Sequence, residues 1–319
     1  MASSRDIKNR IKSIGNTKKI TRAMEMVSAA KMRKAIEAVL KTRSYANLSW
    51  STVLNLAKAG NGQNGQALHP LLIKRKPAEK VALILITSNR GLCGGFNSAI
   101  VKKAVESIKR HQASSHEFIL IGKKGAAAHK NFGFEVAADF PKLDYINEVK
   151  EVVPAARLVI NDYLAGRYDK VMVAYTDYVN AAKQIPRVKQ LLPIEIDETE
   201  KYLGIVGQDT RLGAGQEFVA EKEKQHLTHG EFIYEYTFEP SPAEVLDEML
   251  PRLIEIQLYQ ALLESNASEH SARMTAMHQA TEAAGDMVGE LTLSFNKARQ
   301  ASITLEIAEI SAGANALAE

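Results

Sequence analysis

Between Arg90 and Gly95 the chain reads Arg-Gly-Leu-Cys-Gly-Gly, directly after an apolar run and directly before a helical pattern. A phosphate-binding turn would lie at such a place, because free backbone N–H groups at a helix start attract anions. Neither glycine spacing that cradles phosphate is present: there is no GxGxxG, and no Gly-Lys-Ser/Thr follows. The turn therefore reads as a structural one whose glycines supply positive φ. Cys93 within it reads as a small buried filler. The eight histidines show no HxxxH, HExxH or cysteine-paired spacing, so no metal centre is expected. No Ser/His/Asp or Cys/His set has local support.

Charge is more informative than any of these residues. Residues 1–58 carry thirteen Lys and Arg against three acids, a net charge of +10. Residues 242–319 carry four against twelve, a net charge of −8. Opposite signs at the two ends favour their pairing with each other. The basic stretch has no aromatic residue before Tyr45 and is interleaved with an apolar stripe, which argues against a nucleic-acid surface. With one cysteine, the chain has no internal disulfide and fits a reducing compartment. The longest apolar run, Val81 to Ile86, suits a buried strand and is far too short to span a membrane. The first residues lack the apolar core of a signal peptide.

The elements follow from the same residues. Ser241-Pro242-Ala243-Glu244 is a helix start, with a serine cap, proline at the first helical position and a glutamate closing the capping box. Beyond it, a seven-residue frame from Leu246 to Leu305 has fourteen apolar residues among eighteen positions. So long a repeat predicts a supercoiled partner helix. A helix from Pro242 to Asn315 would be about 110 Å long. His270 falls on the inward frame and reads as a polar residue that sets register. Ser4 to Ala59 reads as a second long helix, whose frame breaks between Ile14 and Ile20, and Gly60–Gln66 ends it as a loop.

From Lys80 the pattern changes to alternating strands and helices. Strands are expected at Val81–Ile86, Phe118–Ile121 and Lys170–Tyr175, with further extended segments at Val188–Ile196 and Phe232–Phe238. Helices are expected at Ser98–His111, Ala126–Phe132 and Val149–Ala165. The expected fold is α/β: a long antiparallel coiled coil of N- and C-terminal helices with a small Rossmann-like α/β domain between them. The expected domains are an N-terminal coiled-coil helix over 1–59, an α/β foot over 60–240 with a polar, mobile loop at 200–228, and a C-terminal coiled-coil helix over 241–319. The uncharged, slim stretch Ile310–Ala318 suits a helix end seated in an apolar sleeve formed by other subunits.

Ile20–Val27, Lys31–Lys34, Arg90–Gly95 and Asn296–Thr304 together resemble the gamma subunits of bacterial F-type ATP synthases. The resemblance runs in order over nearly the whole chain. It implies the rotor of a proton-translocating ATP synthase, coupling rotation of the membrane c-ring to the catalytic sites on the beta subunits. The chain itself would be non-catalytic and would need no cofactor. Implied partners are the hexamer of alpha and beta subunits, the epsilon subunit and the c-ring, with no nucleic acid. The implied place is peripheral, on the cytoplasmic face of the cell membrane, reached only through the complex. Residue by residue, the resemblance sets Met24 against the beta lever with Arg22 and Lys18 beside it. Arg299 and Gln300 would meet the catch loop of beta, and Phe238 and Glu239 would face the c-ring. Three features depart from the family: an apparent insertion at 200–228, no redox cysteine pair there, and Pro251 inside the rotor helix. On the residues alone two other classes stay open. One is an enzyme or scaffold using the α/β layer to bind a nucleotide; the other is a basic coiled coil binding nucleic acid.

Overall fold

The computed structural model describes residues 4–60, 69–75, 79–110, 115–126, 135–142, 148–194, 239 and 241–318. The expected strand at Phe232–Phe238 and the loop at 200–228 lie outside the described residues, as does most of the expected helix at Ala126–Phe132. The chain divides into two compact units, one of residues 1–29 with 273–319 and one of residues 30–272.

Residues 30–272 hold an open sheet of five strands. They are β1 (Lys80–Ile86), β2 (Ser115–Ile121), β3 (Glu135–Phe140), β4 (Lys170–Tyr178) and β5 (Gln184–Leu192). Their order across the sheet is β3-β2-β1-β4-β5, parallel except for β5, which runs antiparallel to β4. β1 reads as unbroken apolar sequence because both its faces are covered: every residue from Val81 to Ile86 is buried. On one face Val81, Leu83 and Leu85 pack with Ile100, Val101 and Ala104 of α2 (Phe96–Arg110). On the other, Ala82, Ile84 and Ile86 pack with α3 (Val153–Leu164) and with the last helix of the chain. β3 escaped the sequence reading. It is a short edge strand, Glu-Val-Ala-Ala-Asp-Phe, never fully buried, so its composition shows no apolar run. β5 begins at Gln184 rather than Val188, its polar side chains being tolerable at the opposite edge.

α1 (Ser4–Gly60) and α4 (Pro242–Ala318) contribute to both units. The α4 start is as the sequence predicts: Ser241 Oγ accepts the Glu244 N–H at 3.3 Å and donates to the Glu244 carboxylate at 3.0 Å. Pro251 sits inside the helix without ending it. From Leu253 to Ser271 every α4 residue is buried, polar ones included.

In the unit of residues 1–29 and 273–319, the predicted seven-residue frame is visible as burial. Met274, Met277, Thr281, Ala284, Val288, Leu291, Phe295 and Ala298 are all buried or half-buried, while most residues between them are exposed. α1 runs antiparallel to α4 here: Thr21 meets Thr281 and Glu25 meets His278, so one number falls as the other rises. The frame of α1 does not break, contrary to the sequence reading. It continues from Ile7, Ile11 and Ile14 through Thr21, Glu25 and Ser28, each buried or half-buried. Apolar Ile20 and Val27, which suggested the break, point to solvent, 61% and 55% exposed.

Candidate functional site

The glycine turn closes on itself. Leu92, at φ 62°, and Gly94, at φ 54°, carry the left-handed backbone, so a leucine shares the task expected of the glycines. Ser88 N–H donates to Asn97 Oδ1 at 3.0 Å, Ser88 Oγ donates to the Arg90 carbonyl at 2.7 Å, and Asn97 Nδ2 lies 3.2 Å from Cys93 Sγ. Cys93 is buried, as a small filler should be. Ser88, Asn97 and Cys93 thus bind one another across the turn. Among the described residues no group of histidine, cysteine and carboxylate side chains could hold a metal ion.

The residues singled out on the helices fare differently. Lys18, Arg22, Glu25, Met26, His278, Thr281 and Glu282 line an open groove of about 340 Å³ along the antiparallel pair. At its floor, Thr281 Oγ1 lies 2.8 Å from Thr21 Oγ1, with both residues buried. Thr21 in turn donates to the Lys18 carbonyl at 3.1 Å. His278 bridges two carboxylates: Nδ1 is 3.1 Å from Glu25 Oε1, and Nε2 is 3.4 Å from Glu282 Oε1. Lys18 lies across Gly285, whose missing Cβ would stand 2.9 Å from Lys18 Nζ. Arg22 is exposed and Met24 half-buried, one on each side of the seam. The α1 side of the seam is thus polar at Thr21, Glu25 and Ser28, while Ile20, Met26 and Val27 are exposed beside three cations, Lys18, Lys19 and Arg22.

Arg299 and Gln300 are exposed, and Gln300 offers its carbonyl to Thr304 Oγ1 at 2.9 Å. They lie 18 residues beyond Thr281 on the same helix, about 27 Å at 1.5 Å per residue, so they form a separate site from the groove. Beyond them Ile303, Leu305, Ile307 and Ile310 are all exposed, between 48% and 73%. Glu239 is exposed just before the Ser241 cap, and Phe238 lies outside the described residues.

Sequence reasoning missed three arrangements within residues 30–272. Lys142 Nζ lies 2.7 Å from Glu269 Oε2, with side chains only 2% and 6% exposed. Asp177, fully buried on β4, lies 2.8 Å from Arg187 Nε; burial pushes its carboxyl above the ordinary value and the guanidinium opposes this. His69 accepts the Leu71 N–H at Nδ1 (3.0 Å) and holds Asp247 at Nε2 (2.9 Å). Burial lowers its pKa and the Asp247 carboxylate works the other way. Each joins residues more than 9 positions apart in a way that no local spacing announces.

The family model described as ATP synthase matches residues 3–317 of this chain. The ATP synthase gamma chain of Pelotomaculum thermopropionicum is 44% identical over 317 residues, 99% of this chain and 100% of its own length. The chain belongs to the ATP synthase gamma chain family. The gamma chain of Herpetosiphon aurantiacus is 42% identical over 324 residues, covering 99% of both proteins. Residues 200–228 therefore fall inside the span matched to this family. Among solved structures, a chain of the Euglena gracilis mitochondrial ATP synthase, in a structure of OSCP, F1 and c-ring, matches with a TM-score of 0.62 at 17% identity, covering 98% of this chain and 94% of that one. A chain of the Tetrahymena thermophila enzyme, in a structure of central stalk and c-ring, matches at 0.57 and 22% identity, covering 82% and 99%. Both likenesses concern the fold: long terminal helices around a mixed sheet.

Proposed function

We propose that this gamma chain is the central rotor of a proton-translocating ATP synthase and works by shape rather than by chemistry of its own. The observation that carries the reading is the inversion on α1 between Ile20 and Val27. There α1 turns Thr21, Glu25 and Ser28 to the seam, and the apolar side chains Ile20, Met26 and Val27 face outward beside Lys18, Lys19 and Arg22. An isolated helix pair gains nothing from that arrangement; one gripped by other subunits does. In this reading Met24, Arg22 and Lys18 meet the lever of a beta subunit, and Arg299 and Gln300 hold its catch loop by charge-assisted hydrogen bonds. Exposed Ile303, Leu305, Ile307 and Ile310 belong in an apolar sleeve of alpha and beta subunits. Phe238 and Glu239 face the c-ring, and the α/β foot takes the epsilon subunit.

Three beta subunits around one asymmetric shaft cannot pack it alike. Each angle therefore favours a different state of each catalytic site, and rotation shifts their populations in turn. The functional division follows the helices: 1–59 and 241–319 as the shaft, 60–240 as the foot. The chain sits on the cytoplasmic face of the cell membrane through its complex. No helix among the described residues is long and apolar enough to cross a membrane, which accords with that place. Co-purification of the chain with alpha and beta subunits tests the assembly. Replacing Arg299→Ala with Gln300→Ala tests the catch. The expected result is poor assembly, or coupled ATP synthesis reduced by about tenfold, for the loss of roughly 1.4 kcal/mol of differential contact; unchanged coupling refutes the role.

A further inference from the structure

The carboxyl edge of an open parallel sheet is where folds of this kind place ligands. Here the chain stitches that edge to itself. After β1, Thr87 N–H donates to the Ile121 carbonyl at 2.8 Å, and Lys124 N–H donates to the Ser88 carbonyl at 3.0 Å. Asn89 reaches further: its Nδ2 donates to the Lys142 carbonyl, beyond β3, and its Oδ1 accepts the Lys123 N–H. The ends of β1, β2 and β3 are thus tied together. From this knot one charged side chain crosses to α4. Lys142 Nζ meets Glu269 Oε2 at 2.7 Å, almost fully buried, with the Phe96 ring at the start of α2 centred 5.9 Å away.

Stability is a weak reason for such a pair, because apolar side chains of similar volume often hold a core as well or better. Direction is a better one. Every α4 residue from Leu253 to Ser271 is buried, polar ones included, so turning the helix about its axis would part Ser268, Glu269 and Ser271 from their partners. Directional contacts thus help to fix the setting. Two are neutral hydroxyl bonds, Ser268 Oγ to the Thr176 carbonyl at 3.0 Å and Ser271 Oγ to the Ala181 carbonyl at 2.9 Å. The Lys142–Glu269 bond joins two full charges, a stronger kind of hydrogen bond than those.

We propose that Lys142 and Glu269 are positioning residues that key α4 to the carboxyl edge of the sheet, so that torque on the α/β layer turns the helix instead of slipping past it. The proposal rests on the rotor reading. Its test uses the complete complex in membrane vesicles, with the Lys142→Met chain, the Lys142→Met/Glu269→Met chain and the exchanged Lys142→Glu/Glu269→Lys chain. Three quantities are read: the urea midpoint of the full chain, the rate of ATP hydrolysis, and protons pumped per ATP hydrolysed. The single change lowers the midpoint by taking the Lys142 ammonium away from the buried Glu269 carboxylate, and the double change recovers it. Pumping per ATP falls by about threefold or more in both, as expected when an element linking two sites loses its setting. The exchanged pair regains pumping. A double variant that recovers pumping together with the midpoint overturns the proposal, since the pair would then be structural only. Wild-type vesicles that fail to couple at all would instead remove the rotor reading.

Discussion

The polar layer at Thr21 and Thr281 gives the sharpest physical test. The two hydroxyls lie 2.8 Å apart across the antiparallel helices, in residues only 9% and 6% exposed. Each hydroxyl also reaches a carbonyl of its own helix, Lys18 at 3.1 Å for Thr21 and Met277 at 2.7 Å for Thr281, contacts that add little to stability because such back-bonding does not favour the helix. Replacing Thr281→Val removes one neutral hydrogen bond, a loss of about 1 kcal/mol, and adds a buried methyl worth about 0.8 kcal/mol. The single change is therefore nearly neutral, and Thr21→Val the same. In the double variant the bond is lost once while two methyls are gained, so it should be more stable than wild type by about 0.6 kcal/mol. The two changes are then coupled by about 1 kcal/mol. A double-mutant cycle of urea denaturation, followed by far-ultraviolet circular dichroism, measures this directly. Additive effects, with coupling below about 0.3 kcal/mol, would refute the hydrogen bond as the link between the helices. A double variant that gains stability while losing coupled synthesis would show that the polar layer holds register, as buried polar residues do in other helix pairs.

Two further predictions concern Gly122 and His69. Gly122 has φ +105°, and a Cβ there would stand 2.4 Å from the Thr87 carbonyl oxygen, so Gly122→Ala should destabilise by roughly 3 kcal/mol or more. Gly289, on α4 with open space around it, is the control: Gly289→Ala should stabilise by up to about 1 kcal/mol. Both are read from denaturation midpoints, and equal midpoints would contradict the geometry. His69 has a folded pKa below its ordinary 6.5, so the unfolded chain binds the extra proton first. Its contribution is complete above pH 6.5 and is lost as pH falls below that value, because burial disfavours the charged imidazolium, with the Asp247 carboxylate opposing. Stability measured against pH should show this acid-side loss, and His69→Gln should reduce it.

Some of this protein could be read from residues alone because the forces concerned are local or periodic. Ser241 and Glu244 lie three positions apart, so the cap forms wherever a helix begins there. β1 is buried on both faces, so its whole sequence had to be apolar. The α4 frame from Met274 to Ala298 repeats every seven residues because one side of a long helix meets a partner. The end-to-end resemblance to gamma chains rests on short runs of this kind, and the family match bears it out.

What hydrophobicity could not indicate was where a seam is deliberately polar. Ile20 and Val27 looked like core residues off their frame, whereas Thr21, Glu25 and Ser28 hold the frame and the apolar side chains face out. β3 and the direction of β5 likewise depend on neighbouring strands rather than on their own sequence. The pairs Lys142–Glu269, Asp177–Arg187 and His69–Asp247 exist only after folding brings distant residues together, 127 positions apart for the first. Sequence by itself determined the helices, the buried strands and the family, since these follow from periodicity and from the side chains of near neighbours. Only the tertiary structure decided which buried charges found partners, because a charge taken out of water is stable only where the fold delivers its counter-charge.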